Sequence, residues 1–357
     1  MRALLAAMVV LTSAPAFAAE PIPMPRPERA EANASTAPIV VAEIPVPRPA
    51  PSDRPSGSAA TVADPYGGSE APAQKVSLNR NIAAKKLFGA VRKPAPLKAR
   101  SIGSYARGCL AGAVPLAVDG PTWQVMRLSR NRNWGHPTLV AFLEKLAKKA
   151  PSLGWSGLMV GDLAQPRGGP MLTGHASHQI GLDADIWLTP MPNRVLSREE
   201  RESISAKSVL GGRYANAEIP EGGAVDRNVW TDAHAKLIRE AARDKRVARI
   251  FVHPAIKKKL CDWESGDKSW LRRVRPWYGH HYHFHVRLAC PADSAGCKDQ
   301  SPPPAGDGCD KSLDWWLSDA PYEKRRKRKA AAAKNTNWKP MTITALPDYC
   351  ETVLVAQ

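Results

Sequence analysis

Two short stretches of this chain alternate apolar and polar residues with a period of two. In the first, Leu182, Ala184, Ile186 and Leu188 share one parity, while Asp183, Asp185 and Trp187 share the other. Successive side chains of a β-strand face opposite sides. The stretch therefore predicts a strand with one buried face and two carboxylates side by side on the reverse. In the second, Phe284, Val286 and Leu288 form the apolar set and His283, His285 and Arg287 the polar one. Its two histidines then share a face, about 7 Å apart at the usual strand rise. Elsewhere the period is helical: Leu139, Phe142, Leu143 and Leu146 mark a helix within Asn133 to Lys149, and Ala233 to Arg243 reads as another. Leu158 to Val160 and Val247 to His253 are apolar runs of strand length. Leu196 to Arg227 is polar and loop-rich, and no internal repeat is evident.

These elements lie within residues 100–318, a length that supports one domain with its own core. Residues 1–18 ahead of them have the form of an export signal. Arg2 precedes an apolar run from Ala3 to Leu11, and Ala16-Phe17-Ala18 supplies a small-residue cleavage site. The run is shorter than the ~20 apolar residues of a membrane span. Residues 19–99 are rich in proline, as in Pro45-Val46-Pro47-Arg48-Pro49. Such a composition buries too little apolar surface to offset ordering entropy, so a disordered tether is expected. Residues 319–357 form a basic tail whose block from Lys324 to Lys329 is expected to be solvated and mobile. Cys350 lies beyond that block, and a bridge from it would pin the tail at its far end.

Export changes the reading of both cysteine and charge. Six cysteines, none in a C-x-x-C pair, argue for disulfides in an oxidising compartment and against a thiolate metal site. Residues alone leave fifteen connectivities open. The formal charge is +18, from 51 Lys and Arg against 33 Asp and Glu. No nucleic-acid motif accompanies it, and export removes nucleic acid as a partner. In the periplasm a basic surface and tail meet anionic envelope polymers or a membrane surface instead, or remain simply solvated.

The two alternating stretches, with the residues just before them, hold six of the nine histidines. His175 and His178 precede the first strand, and Gly181 permits the sharp turn that brings His178 over its carboxylate face. Carboxylates held side by side repel unless a cation or proton intervenes. Neutral imidazole and carboxylate are the usual ligands of zinc, with one position left open in catalytic sites. The set His178, Asp185 and His285 supplies three such ligands, and His283 is placed as a neighbouring base. The helical His-Glu-x-x-His signature is absent. Ser177 lies outside any Gly-x-Ser-x-Gly elbow, which leaves a serine mechanism with little support.

The stretch from Gly174 to Asp185 resembles the metal motif of the penicillin-insensitive murein endopeptidases. The run Val274-Arg275-Pro276-Trp277 through His283-Phe284-His285-Val286-Arg287-Leu288 resembles that family's second motif, and similarity extends from Ser101 to about Trp316. The resemblance implies an α+β fold: a small antiparallel sheet flanked by helices and stapled by disulfides. It implies zinc-dependent cleavage of D-alanyl–meso-diaminopimelyl cross-links in peptidoglycan. It carries ligand roles to His178, Asp185 and His285, with His175 ranked below them. The base role falls on His283 and a supporting role on His280. It also implies disulfides Cys109–Cys350, Cys261–Cys309 and Cys290–Cys297. One departure is visible. Some members carry a further Asp and His, three residues apart, linked to a second metal; Leu196 to Trp230 holds one Asp, Asp226, and no His. Asp232 and His234 follow at the wrong spacing. The alternatives are a carboxypeptidase or dipeptidase trimming D-Ala with the same site, and a wall-binding protein with a degenerate one.

Overall fold

A computed structural model of the chain describes residues 78–210, 224–335 and 339–357. The expected export signal and most of the expected tether lie outside the described residues, as does part of the polar stretch after Leu196. The helices are α1 (Ala84–Ala90), α2 (Pro137–Lys149), α3 (Arg198–Ser203), α4 (Asp232–Arg243), α5 (Pro254–Trp263), α6 (Lys311–Leu317), α7 (Ala320–Ala333) and α8 (Tyr349–Val355). The strands begin with β1 (Arg100–Ser104), β2 (Arg107–Ala111), β3 (Val114–Pro115), β4 (Asp119–Gly120), β5 (Trp123–Val125) and β6 (Trp134–Gly135). They continue with β7 (Leu158–Val160), β8 (Asp183–Trp187), β9 (Val247–Val252), β10 (Val274–Pro276) and β11 (His283–Leu288). None of the described helices is long and apolar enough to cross a membrane.

The fold is α+β. Its main sheet has seven strands in the order β10-β9-β11-β8-β7-β5-β4. The sheet is larger than expected, and it is mixed: β10 with β9 and β7 with β5 pair in parallel. The antiparallel heart is β9-β11-β8-β7. Ala184 and Ile186 of β8 and Phe284, Val286 and Leu288 of β11 join one core with α2, α4 and α5, which bury Leu143, Leu237 and Ile256 among others. Every residue of β8 and β11 is nonetheless buried. Their polar faces are covered too, by the loops that converge on Asp185.

Several boundaries differ from the sequence expectation. Helix α2 starts at Pro137, because Trp134 and Gly135 form β6 and Pro137 takes the first helical position, where its missing N–H costs nothing. The described residues include part of the expected tether, from Leu78 onward. There α1 buries Ala84 and Phe88 in a second, smaller core with Ile343, Cys350 and Val353. The basic block is not loose chain but the body of α7. Disulfides join Cys109 to Cys350, Cys261 to Cys309 and Cys290 to Cys297. The first ties α8 to β2 and so holds the far end of the tail on the domain.

Candidate metal centre

Strands β8 and β11 are neighbours, and their register sets Asp185 directly opposite His285, Trp187 opposite His283 and Asp183 opposite Arg287. Directly opposed residues of an antiparallel pair stand with Cβ atoms about 5 Å apart, so register alone brings Asp185 and His285 together. His178 arrives from the preceding loop in a left-handed backbone conformation, φ 68°, and Gly181 at φ 70° completes the turn. A Cβ at Gly181 would lie 2.4 Å from Leu110 Cδ2 and 2.9 Å from His136 N, so only glycine fits. Non-glycine residues with positive φ are uncommon and gather where surrounding structure enforces them. His280, φ 56°, is another, following Gly279 at φ 67°.

Three atoms converge. His178 Nε2 lies 3.3 Å from His285 Nδ1 and 3.5 Å from Asp185 Oδ1, and His285 Nδ1 lies 3.2 Å from Asp185 Oδ1. The other ring nitrogens face acceptors. His178 Nδ1 donates to Leu163 O at 2.8 Å, and His285 Nε2 sits 3.1 Å from Asp183 Oδ1, although that approach is too bent for a full hydrogen bond. Both rings thereby turn a lone pair toward Asp185, whose buried Oδ1 has no hydrogen-bond donor. Three acceptors at this spacing repel one another unless a cation sits between them. Zinc–nitrogen bonds of 2.0–2.1 Å at tetrahedral angles put neighbouring ligand atoms about 3.3 Å apart. The residues present fit a divalent ion.

His175 extends the cluster. It, His178 and Asp185 each offer a ligand atom within 4.8 Å of the others. Its Nδ1 is 3.5 Å from Asp185 Oδ2, while its Nε2 is 2.9 Å from Asp162 Oδ2. The triangle of His178, Asp185 and His285 has edges of 3.2–3.5 Å, a spacing that suits ligands to one ion. His283 is buried, with Nε2 3.6 Å from Asp185 Oδ1 and Nδ1 without a partner. Burial pushes its pKa down to about 4, outweighing the pull of Asp185, so the ring is neutral near pH 7. His280 packs on His283, ring centroids 4.9 Å apart, and its Nδ1 is held by Tyr278 O at 2.7 Å. Burial, with the rings of His283 and His285, keeps it neutral also. His281 turns away, its Nδ1 on Ser208 Oγ.

Two carboxylates that the strand pattern could not rank sit behind these residues. Asp183 is fully buried and takes Arg287 on both oxygens, at 2.7 and 3.1 Å, and the backbone N–H of His178 at 2.9 Å. Burial alone would raise its pKa, but Arg287 and His285 hold it well below the carboxylate range. It therefore fixes both histidines of the triangle. Such outer partners set ring orientation and ligand basicity. Asp162 anchors His175 and is itself held by Arg132 at 2.8 Å and Arg130 at 3.0 Å. The parity of β8 placed Asp183 beside Asp185 but could not say which one faced the open side. Asp162 carried no signal at all, since its link to His175 is purely tertiary.

The remaining three histidines cap helices. His136 and His253 accept N–H groups at the starts of α2 and α5, each just before a proline, and His234 caps α4 with Thr231. The pattern His-Pro at a helix start was readable in the sequence.

Fold and site together define an α+β protein with a buried His-Asp-His centre shaped for one divalent cation. The chain belongs to the penicillin-insensitive murein endopeptidase family, whose model matches residues 101–355. It is therefore a hydrolase of a peptidase family. It is 45% identical over 241 residues to the penicillin-insensitive murein endopeptidase of Haemophilus influenzae, covering 66% of this chain and 81% of the relative. Proteins of the same name from Pectobacterium atrosepticum and Escherichia coli K12 are each 42% identical, over 240 and 227 residues. Those alignments cover 67% and 64% of this chain and 82% and 80% of the relatives.

Proposed function

We propose that this chain is a zinc-dependent endopeptidase of the periplasm that hydrolyses D-alanyl–meso-diaminopimelyl cross-links in peptidoglycan. The observation that carries the metal is the triangle of His178 Nε2, Asp185 Oδ1 and His285 Nδ1, with edges of 3.2–3.5 Å and an orphaned carboxylate oxygen. Two imidazoles and one carboxylate form a set that favours zinc. The relatives' shared name supports the murein substrate. Those three residues would hold the ion, and His175 stands by as a further ligand. A bound divalent ion lowers the pKa of water into the neutral range and polarises a carbonyl.

The chain's own groups serve the rest of the reaction. His283 is neutral and has a free ring nitrogen, so it is able to accept a proton from the attacking water and return it to the leaving amine. His280, held by Tyr278 O through Nδ1, presents its other nitrogen beside His283 to the substrate. Asp183 and Asp162 keep His285, His178 and His175 in place. Nothing in this machinery resembles a serine nucleophile, which agrees with the insensitivity to penicillin in the relatives' name.

Incubation of purified protein with cross-linked muropeptide dimers tests the reading. Splitting of dimers into monomers that a chelator abolishes and zinc restores is expected. Intact dimers, or cleavage indifferent to chelator, would overturn it. Monomers that merely lose a terminal D-alanine would transfer the substrate to the trimming alternative.

A further inference from the structure

Helix α7 carries Lys324, Arg325, Arg326, Lys327, Arg328 and Lys329 against one acidic residue, Glu323. It buries only Pro321 and Tyr322 at its start. The helix projects a dense positive charge and has no apolar face to insert into a bilayer. Its root is placed beside the metal centre. Tyr278 Oη donates to Pro321 O at 2.8 Å, the Tyr278 ring packs on Tyr322, and the Arg325 guanidinium lies 5.0 Å above it. The carbonyl of the same Tyr278 holds His280.

An aromatic shelf fills the space between helix and centre. Trp277 is 47% exposed and Trp315 is 44% exposed, and half-buried Trp316 joins them, with ring centroids 5.7 and 5.2 Å away. At its inner edge Trp277 meets Phe251, which packs against His285. Contiguous exposed aromatics bordered by polar groups mark a binding surface. Flat rings suit the apolar faces of sugars, and a basic helix suits carboxylates.

Resting on the function proposed above, we infer that the shelf of Trp277, Trp315 and Trp316 together with α7 is a second binding surface for the wall polymer. It grips a carboxylate-bearing glycan strand beside the cross-link being cut. The charge is complementary to the free carboxylates of stem peptides. The surface is continuous with the metal centre through Tyr278, which holds His280, and through Trp277, which reaches His285 by way of Phe251, so one strand is able to engage both.

Binding to isolated sacculi tests this without turnover. Full-length protein, metal-stripped by chelator, is sedimented with sacculi at increasing salt. It is compared with the variant Lys324→Gln, Lys327→Gln, Arg328→Gln, Lys329→Gln and with Trp315→Ala, after melting curves confirm that both are folded. Each exposed ion pair contributes roughly two- to threefold, so the quadruple variant is expected to bind about thirtyfold more weakly at low salt. Its residual binding should fall less steeply with salt than that of wild type, since fewer of the helix's cations remain. Trp315→Ala should bind more weakly at all salt concentrations. Wild-type binding that ignores salt, or variants that sediment like wild type, would overturn the inference. So would preferential binding of wild type to anionic phospholipid vesicles, which would make the helix a membrane-surface element instead. Failure of dimer cleavage is scored in a separate assay and leaves these outcomes readable.

Discussion

Replacing Asp183 by asparagine changes one oxygen to an amide and leaves the volume intact, yet two separate losses are expected. The carboxylate is fully buried and holds Arg287 through both oxygens. Arg287 is also buried, stacked 4.1 Å from the Tyr105 ring. Removing one partner of a buried pair leaves the other charge uncompensated, at a cost of about 3–5 kcal/mol. That loss belongs to the metal-free fold and is read from guanidinium unfolding of the chelated, oxidised protein. The second loss is at the centre. Asp183 faces His285 Nε2 and fixes the backbone of His178, so the variant presents both ligands less well. Outer partners of this kind are worth 10–100-fold in metal affinity, about 1.4–2.8 kcal/mol. Competition with a chromophoric chelator measures it. Asp183→Asn with metal-free stability within about 1 kcal/mol of wild type and unaltered zinc affinity would refute the reasoning. A stability loss with unaltered affinity would confine Asp183 to the fold.

Two further changes test the supports around the centre. Burial, reinforced by the charge of His281, pushes the pKa of His253 down to about 3 from an unfolded value of 6.5. The native state therefore binds fewer protons than the unfolded one between those values, and stability is lost as pH falls below 6.5, by up to about 5 kcal/mol. His253→Asn keeps a cap acceptor without the titration. Its stability relative to wild type should improve between pH 7 and pH 4, and parallel pH profiles would sink the assignment. Gly181→Ala combines a left-handed backbone with a Cβ 2.4 Å from Leu110 Cδ2, and is expected to cost about 2–4 kcal/mol in urea unfolding. A loss below about 0.5 kcal/mol, the ordinary scatter of neutral changes, would show that the turn relaxes.

The alternation of Leu182 to Leu188 and of His283 to Leu288 was enough to place two strands and to sort the apolar side chains of each from the polar ones. That legibility has a physical source. Period two is enforced by a core on one face, and clustered imidazoles and carboxylates on the other make sense only around a cation. Register was not readable, since nothing local to either strand says that Asp185 opposes His285. The parallel edges of the sheet were hidden for the same reason: β5, β7 and β10 are three residues each and acquire their role only from neighbours. Helix α1 was lost in a proline-rich context because its few apolar residues, such as Phe88, find their partners in α8, some 260 residues away. The block from Lys324 to Lys329 read as solvated chain on charge alone. It is helical, and Tyr322 anchors its start to the domain.

The central claim is that His178, Asp185 and His285 share one divalent ion. Elemental analysis of purified protein, after removal of loosely held metal, tests it most directly beside the variants Asp185→Ala and His285→Ala. One equivalent of zinc per wild-type chain and near-zero content in both variants, each still folded by circular dichroism, is the result expected. Zinc content unchanged in either variant would contradict the shared site.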